Sequence, residues 1–145
     1  MKIVLQRVTN ASVTVDDQVV GQIDHGLLAL VGIAQGDSAA TVTQLAAKTA
    51  TLRIFADGEG RMNRNVSDVA GSILAVSQFT LLADTRRGRR PAFTDAAEPS
   101  IAKTLYQQFC QDLRDQSVPV QTGIFAADMQ VRLTNDGPVT IILEL

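Results

Sequence analysis

Cysteine is all but missing from this chain: Cys110 is the only one in 145 residues. A single thiol cannot close an intrachain disulfide, so the fold must rest on its core, and a reducing compartment suits it. Histidine is equally scarce, with His25 alone. A zinc or iron site needs several His, Cys or carboxylate ligands converging; no spacing here supplies them, so neither a metal nor another cofactor is expected. Tryptophan is absent and aromatics make up 4% of the residues, too few for a nucleic-acid platform of stacked rings. No apolar run approaches the ~18 residues of a membrane helix. Met1 to Arg7 meets polar side chains too early for the apolar segment of a signal peptide. A soluble, cytoplasmic protein is expected.

What is present is an ordinary globular composition, 46% hydrophobic, long enough to bury a core as one domain over residues 1–145. The net charge of -2 means that any binding of a polyanion must come from local clustering. One cluster exists. Arg86, Arg87, Arg89 and Arg90 place 4 of the 13 basic residues in a single loop. Charge runs are commonly solvated, and Gly88 and Pro91 mark this one as a loop. Like charges so dense also repel one another and draw an anion, which points to a phosphate-bearing partner.

Periodicity supplies the elements. Lys2 to Val8 alternates as a strand, with Arg7 on the Ile3/Leu5 face, either at an edge or against something polar inside. Ser12 to Val15 and Val19 to Ile23 flank a hairpin turn at Asp16-Asp17-Gln18. Gly26 to Ile33 is a continuous apolar run, the pattern of a strand buried on both faces. Beyond Gly36 the period lengthens to a helix carrying Val42, Leu45, Ala46, Thr49 and Leu52, capped by Asp37 or Ser38. A short strand is expected at Ile54-Phe55, and another from Ser72 into Ser77. A second helix opens near Glu98-Pro99 with a stripe of Ala102, Leu105, Tyr106, Phe109, Cys110 and Leu113, and stops before Pro119. Met129 to Leu133 and Val139 to Leu145 read as closing strands on either side of a turn. The fold class is α/β, a layered domain of mixed, mostly antiparallel and barrel-like sheet covered by two main helices.

Two short stretches carry chemistry. Ser77-Gln78-Phe79-Thr80-Leu81 ends an apolar strand with two hydroxyls and an amide. In a regular strand Ser77 and Phe79 would share one face, and Gln78 and Thr80 the other. Alone, such hydroxyls usually cap a turn. No Gly-x-Ser-x-Gly elbow surrounds Ser77, and His25 sits in a turn where imidazoles are commonly solvated, so a catalytic triad is not expected. Cys110, on the helical stripe, reads as core. The second stretch is Asn135-Asp136-Gly137-Pro138. Asp-Gly signals a hairpin, but Pro138 removes a donor where the last strand would begin pairing. The Gly137–Pro138 bond is one that adopts cis for only ~0.5–1 kcal/mol, although a trans proline in an exposed turn is the plainer reading.

Taken together, Ser77-Gln78-Phe79-Thr80-Leu81 and Asn135-Asp136-Gly137-Pro138-Val139-Thr140 resemble the paired signatures of the D-aminoacyl-tRNA deacylases, the D-Tyr-tRNA deacylase family. The likeness spans the chain, including Arg7, the basic loop and the Gly123-x-Phe125 segment ahead of Met129. The resemblance implies hydrolysis of the ester between a D-amino acid and tRNA, with tRNA as partner. It also implies a homodimer whose pockets lie at the interface, each made by the Ser77 strand of one subunit and the Gly137-Pro138 turn of the other. In the family that bond is cis, its carbonyls stand where an L-side chain would go, and Arg7 is expected to hold the turn. Phe125 and Met129 match positions of the terminal-adenosine pocket. Ala126 stands where the family pattern leads one to expect glycine. An ester of this kind is already activated, so backbone N–H groups around Phe79 and Thr80 could stabilise the oxyanion, with Thr80 orienting substrate. Glycyl-tRNA, lacking handedness, is a further expected substrate. The competing reading is a non-catalytic RNA-binding module that uses only the arginine loop; a generic small-ester hydrolase would leave that loop idle.

Overall fold

A computed structural model describes residues 1–145. Its elements run β1 Lys2–Val15, β2 Gln18–Ile23, β3 Gly26–Gly32, α1 Ala39–Thr51, β4 Phe55–Ala56, β5 Met62–Arg64, β6 Ser72–Ser77, a 3-10 turn Phe79–Leu82, α2 Pro99–Asp115, β7 Val120–Thr122 and β8 Gln130–Glu144. The main sheet is built around β1. Along one side its first half pairs with β3 and its second half with β2, while β8 pairs along the other side. The order β2-β1-β3-β6-β7 follows, with β3–β6 and β6–β7 parallel and the other main-sheet pairs antiparallel. β2 comes back against β7, where the Gly21 backbone faces the Thr122 carbonyl, so the sheet curls into a nearly closed barrel. This is the mixed, helix-covered α/β architecture expected from the sequence.

Two cores result. Ile3, Leu5, Leu27, Ala29, Ile73 and Ala75 pack outward beneath α1 and α2, whereas Val8, Val13, Ile23, Leu28, Leu74 and Val76 fill the barrel. β3 and β6 therefore contribute alternate residues to both, which explains their unbroken apolar runs. β1 changes sides partway. Ile3 and Leu5 belong to the helix-covered core, but Ala11 and Val13, which strict alternation would put on the same face, belong with Val8 to the barrel core; the alternation slips at the ladder irregularity between Val8 and Asn10.

The helices begin and end for local reasons. Ser38 caps α1, its hydroxyl accepting from the Thr41 N–H at 3.2 Å. Asp37, the other candidate cap, instead accepts from the Met1 α-amino group at 2.6 Å and from the Ala34 N–H at 2.6 Å. α2 starts at Pro99, whose missing N–H costs nothing in the first turn, and buries Leu105, Phe109, Cys110 and Leu113.

Two local expectations are corrected. The strand does not extend through Thr80: β6 ends at Ser77, and the chain tightens into the 3-10 turn, so Phe79 and Thr80 are turn residues rather than alternating strand residues. Nor does Asn135 to Thr140 reverse the chain. β8 runs through, with Gln6 paired to Thr140 and Val8 to Asn135, and residues 136–139 bulge out opposite Arg7. The Asn135 side chain makes this possible. Its Oδ1 accepts from the Val139 N–H at 2.7 Å and its Nδ2 donates to the Val139 carbonyl at 3.2 Å, replacing ladder bonds that Pro138 cannot make.

Candidate active site

At the carboxyl ends of the parallel strands β3 and β6, a cavity of about 490 Å³ opens between the barrel and α2. Open α/β sheets commonly place ligands at this end of parallel strands. Ser77 is the last residue of β6 and pairs with Val31; the Gln78 N–H then donates to the Val31 carbonyl at 2.7 Å. The 3-10 turn follows, its first donor being the Leu81 N–H, bonded to the Gln78 carbonyl at 3.3 Å. The N–H groups of Phe79 and Thr80 precede that donor and so have no acceptor within the turn. An oxyanion site needs donors in this condition.

Ser77, Gln78 and Phe79 line the cavity together with Phe125 and Met129, so five of the residues singled out from the sequence meet there. Ala102 and Tyr106 line it too. Their helical spacing made them look like core alone; the only signal otherwise was a small residue beside a hydroxyl-bearing one. Thr80 is exposed and outside the lining, and its Oγ1 accepts a hydrogen bond from Gln78 Nε2. No basic group is hydrogen-bonded to that hydroxyl to take its proton. Ala126, in the lining, has φ 63°, the left-handed conformation that glycine adopts most easily.

Phe79 is 57% exposed and packs edge-on against Phe93, ring centroids 5.0 Å apart, which joins the cavity rim to the arginine loop. Reciprocal backbone bonds between Asp84 and Ala92, at 2.8 and 2.9 Å, close that loop at its base. The four arginines are not equivalent. Arg86 forms an ion pair with Asp84 at 2.7 Å and holds that carboxyl far below the ordinary carboxylate range. Arg87, Arg89 and Arg90 form no ion pair and remain available to an external anion.

The other predicted residues assemble elsewhere. The Arg7 side chain is 14% exposed; its Nε donates to the Asp136 carbonyl at 2.9 Å and its Nη1 to the Ile54 carbonyl at 2.7 Å, with the Asp136 carboxylate 3.3 Å away. The Gly137–Pro138 peptide in this bulge is cis. Gly137 has φ 142°, and a Cβ there would lie 2.7 Å from Val139 Cγ2. Arg7 pairs with Leu27, which pairs with Ile73, whereas Ser77 pairs with Val31. The bulge and the Ser77 end thus stand four positions apart along β6, about 13 Å at the rise of a strand. His25 is also at the far end, exposed and edge-on to Phe55 at 5.2 Å, which rules out a triad with Ser77.

Tyr106 and Cys110 lie beneath the cavity on α2. The Tyr106 hydroxyl donates to the Ala75 carbonyl at 2.9 Å, and burial pushes its pKa well above the ordinary 10.0. Burial also pushes the Cys110 thiol above the ordinary 9.0. Both groups hold their protons more tightly folded than unfolded, so the stability they contribute is complete below about pH 8.5 and is lost as pH rises beyond it. Urea midpoints should stay level through neutrality and fall in alkali, and the fall should be shallower in Cys110→Ala. A midpoint rising above pH 9 would contradict this account of burial.

Hydroxyls, an amide and free backbone donors around an apolar cavity, with a basic loop at the rim, are groups suited to a hydrolase. Comparison with known proteins narrows this class. The family described as D-Tyr-tRNA(Tyr) deacylase matches residues 4–144. A D-aminoacyl-tRNA deacylase of Rhodopirellula baltica is 63% identical over the full length of both chains. One from Roseiflexus is 60% identical over 99% of this chain and 93% of its own. Among solved structures, a c-Myc DNA unwinding element binding protein superposes with TM-score 0.95 at 40% identity, over 100% of this chain and 99% of its own. A probable eukaryotic D-amino acid tRNA deacylase superposes with TM-score 0.83 over 99% of this chain and 98% of its own; at 18% identity it shows the fold alone. The chain belongs to the D-aminoacyl-tRNA deacylase family and is a carboxylic-ester hydrolase that deacylates D-aminoacyl-tRNA.

Proposed function

We propose that the chain works as a homodimer in the cytoplasm, and that each pocket combines the Ser77–Thr80 end of one subunit with the Gly137–Pro138 bulge of the other. The observation that carries this reading is the separation of those two motifs within one chain, four positions along β6. A second copy is the economical way to unite them, and the exposed apolar side chains Phe79 and Ile142 are surface that such a copy would cover.

In this reading the terminal adenosine of tRNA enters the cavity beside Phe125 and Met129, and the ester carbonyl faces the N–H groups of Phe79 and Thr80. As water attacks, those donors stabilise the oxygen that becomes negative. Thr80 orients the aminoacyl group, and the neighbouring ribose hydroxyl assists the departing oxygen. The partner's Gly137 and Pro138 carbonyls occupy the space an L-side chain would need. Discrimination by exclusion requires no contact with the D-side chain, so glycyl-tRNA also passes. Arg87, Arg89 and Arg90 hold the tRNA backbone.

The test is to incubate the protein with D-Tyr-tRNA and L-Tyr-tRNA and follow the ester. Cleavage of the D-form alone is expected. Equal cleavage of both would remove the filter, and binding without cleavage would leave an RNA-binding module. Neutralising Arg87, Arg89 and Arg90 should weaken binding of every tRNA, lower its salt dependence and leave the D/L ratio unchanged. A changed ratio would mean that the loop takes part in selection.

A further inference from the structure

A second cavity, about 470 Å³, lies on the other side of Tyr106 and Phe125, which line both it and the first. Its character is different. The first is lined largely by apolar residues with Asp128 as the one charge, whereas the second carries Lys103, Gln107, Gln111, Arg114 and Thr122 and no carboxylate in its lining. Lys103, Gln107, Gln111 and Arg114 follow one another at i, i+4, i+8 and i+11, a single face of α2 some 16 Å long. Neither Lys103 nor Arg114 is in an ion pair; Arg114 makes one hydrogen bond, to the Val120 carbonyl at 3.3 Å. Cations at both ends of a polar helix face, in a cleft that shares Tyr106 and Phe125 with the site, suit a phosphodiester backbone rather than a base.

Building on the reading above, we infer that this α2 cleft carries the single-stranded nucleotides just before the terminal adenosine, with Lys103 and Arg114 each neutralising a phosphate. The strand then passes over the Tyr106–Phe125 partition, its rings 6.1 Å apart, into the apolar cavity. The arginine loop, on the opposite rim beside Phe79, is left for the body of the tRNA. The amide of Gln107 serves backbone oxygens without regard to sequence, whereas the Gln111 amide donates to the Asp115 carboxylate at 2.7 Å.

The test is equilibrium binding of a short single-stranded RNA ending in CCA, titrated against salt, to the intact protein and to Lys103→Ala/Arg114→Ala. Losing two phosphate contacts should weaken binding and flatten the salt slope by about 1.4, at ~0.7 per phosphate on a single strand. Lys103→Arg/Arg114→Lys, which keeps both charges, should bind like the parent. Unchanged affinity and slope in the alanine variant would overturn the assignment, as would equal weakening in the charge-preserving variant, which would indicate a merely structural role. Hydrolysis of D-aminoacyl-adenosine, which has no phosphate, should be the same in parent and alanine variant. If the parent fails to hydrolyse that ester, the proposed catalysis is at fault, while the RNA titration still decides the cleft.

Discussion

Arg7→Ala is expected to reduce kcat/KM for D-Tyr-tRNA by on the order of 30-fold and to cost about 2 kcal/mol of stability. The guanidinium is nearly buried and ties the Asp136 carbonyl at 2.9 Å to the Ile54 carbonyl at 2.7 Å, two segments far apart in the chain. Alanine leaves both carbonyls without their donor and frees the bulge at residues 136–139, so in the proposed dimer the wall offered to the other subunit would lose its position. On the proposed filter, discrimination should fall with rate, because a wall that moves would admit an L-side chain. Arg7→Lys keeps the charge but not the fork that reaches two acceptors, so an intermediate loss is expected. The measurements are urea unfolding and parallel D- and L-Tyr-tRNA deacylation. Full activity and an unchanged D/L ratio in a folded Arg7→Ala protein would detach Arg7 from the site.

Gly26→Ala should be the more damaging change for folding, by more than ~4 kcal/mol, or at least ~10 °C in Tm. Gly26 opens β3 opposite Ser72, and a Cβ there would lie 1.9 Å from the Ser72 carbonyl oxygen and 2.8 Å from its carbon. Those are backbone atoms, which cannot swing aside as a side chain would. The β3–β6 pair would have to part at its start, and the same pair presents Ser77 and Val31 at its other end. Gly58→Ala is the control: nothing lies within 4 Å of a Cβ at that position, so its Tm should stay close to the parent's. A thermal scan of the three proteins decides the matter, and a Gly26→Ala midpoint matching the control would show that the strands can yield.

Much of the outcome was legible without coordinates. Apolar runs buried on two faces, helical stripes, the Asp16-Asp17 hairpin and the proline opening α2 each depend on residues a few positions apart, and each appears in the structure. With one histidine and one cysteine in the chain, backbone N–H groups are the natural candidates for stabilising an oxyanion. The paired motifs and the resemblance they carry led to the family. The roles of Ala102 and Tyr106 were hidden, because a residue lining a cavity at the edge of a helical stripe has the same periodicity as one in the core.

By itself, then, the sequence determined both helices and most of the strand segments, the family and the chemistry that its few reactive side chains permit, while β5 and β7 and the continuity of β1 and β8 lay outside it. Only the tertiary structure decided that the strand becomes a 3-10 turn after Ser77, that residues 136–139 bulge instead of reversing the chain, and that Asp84 engages Arg86 and leaves three arginines free. It alone put the Gly137–Pro138 bulge and Ser77 at opposite ends of the parallel strands. The physical reason is range. Periodicity and capping are set by neighbours along the chain, whereas register and position follow from which distant strands pair, and β1 meets β8 across more than a hundred residues.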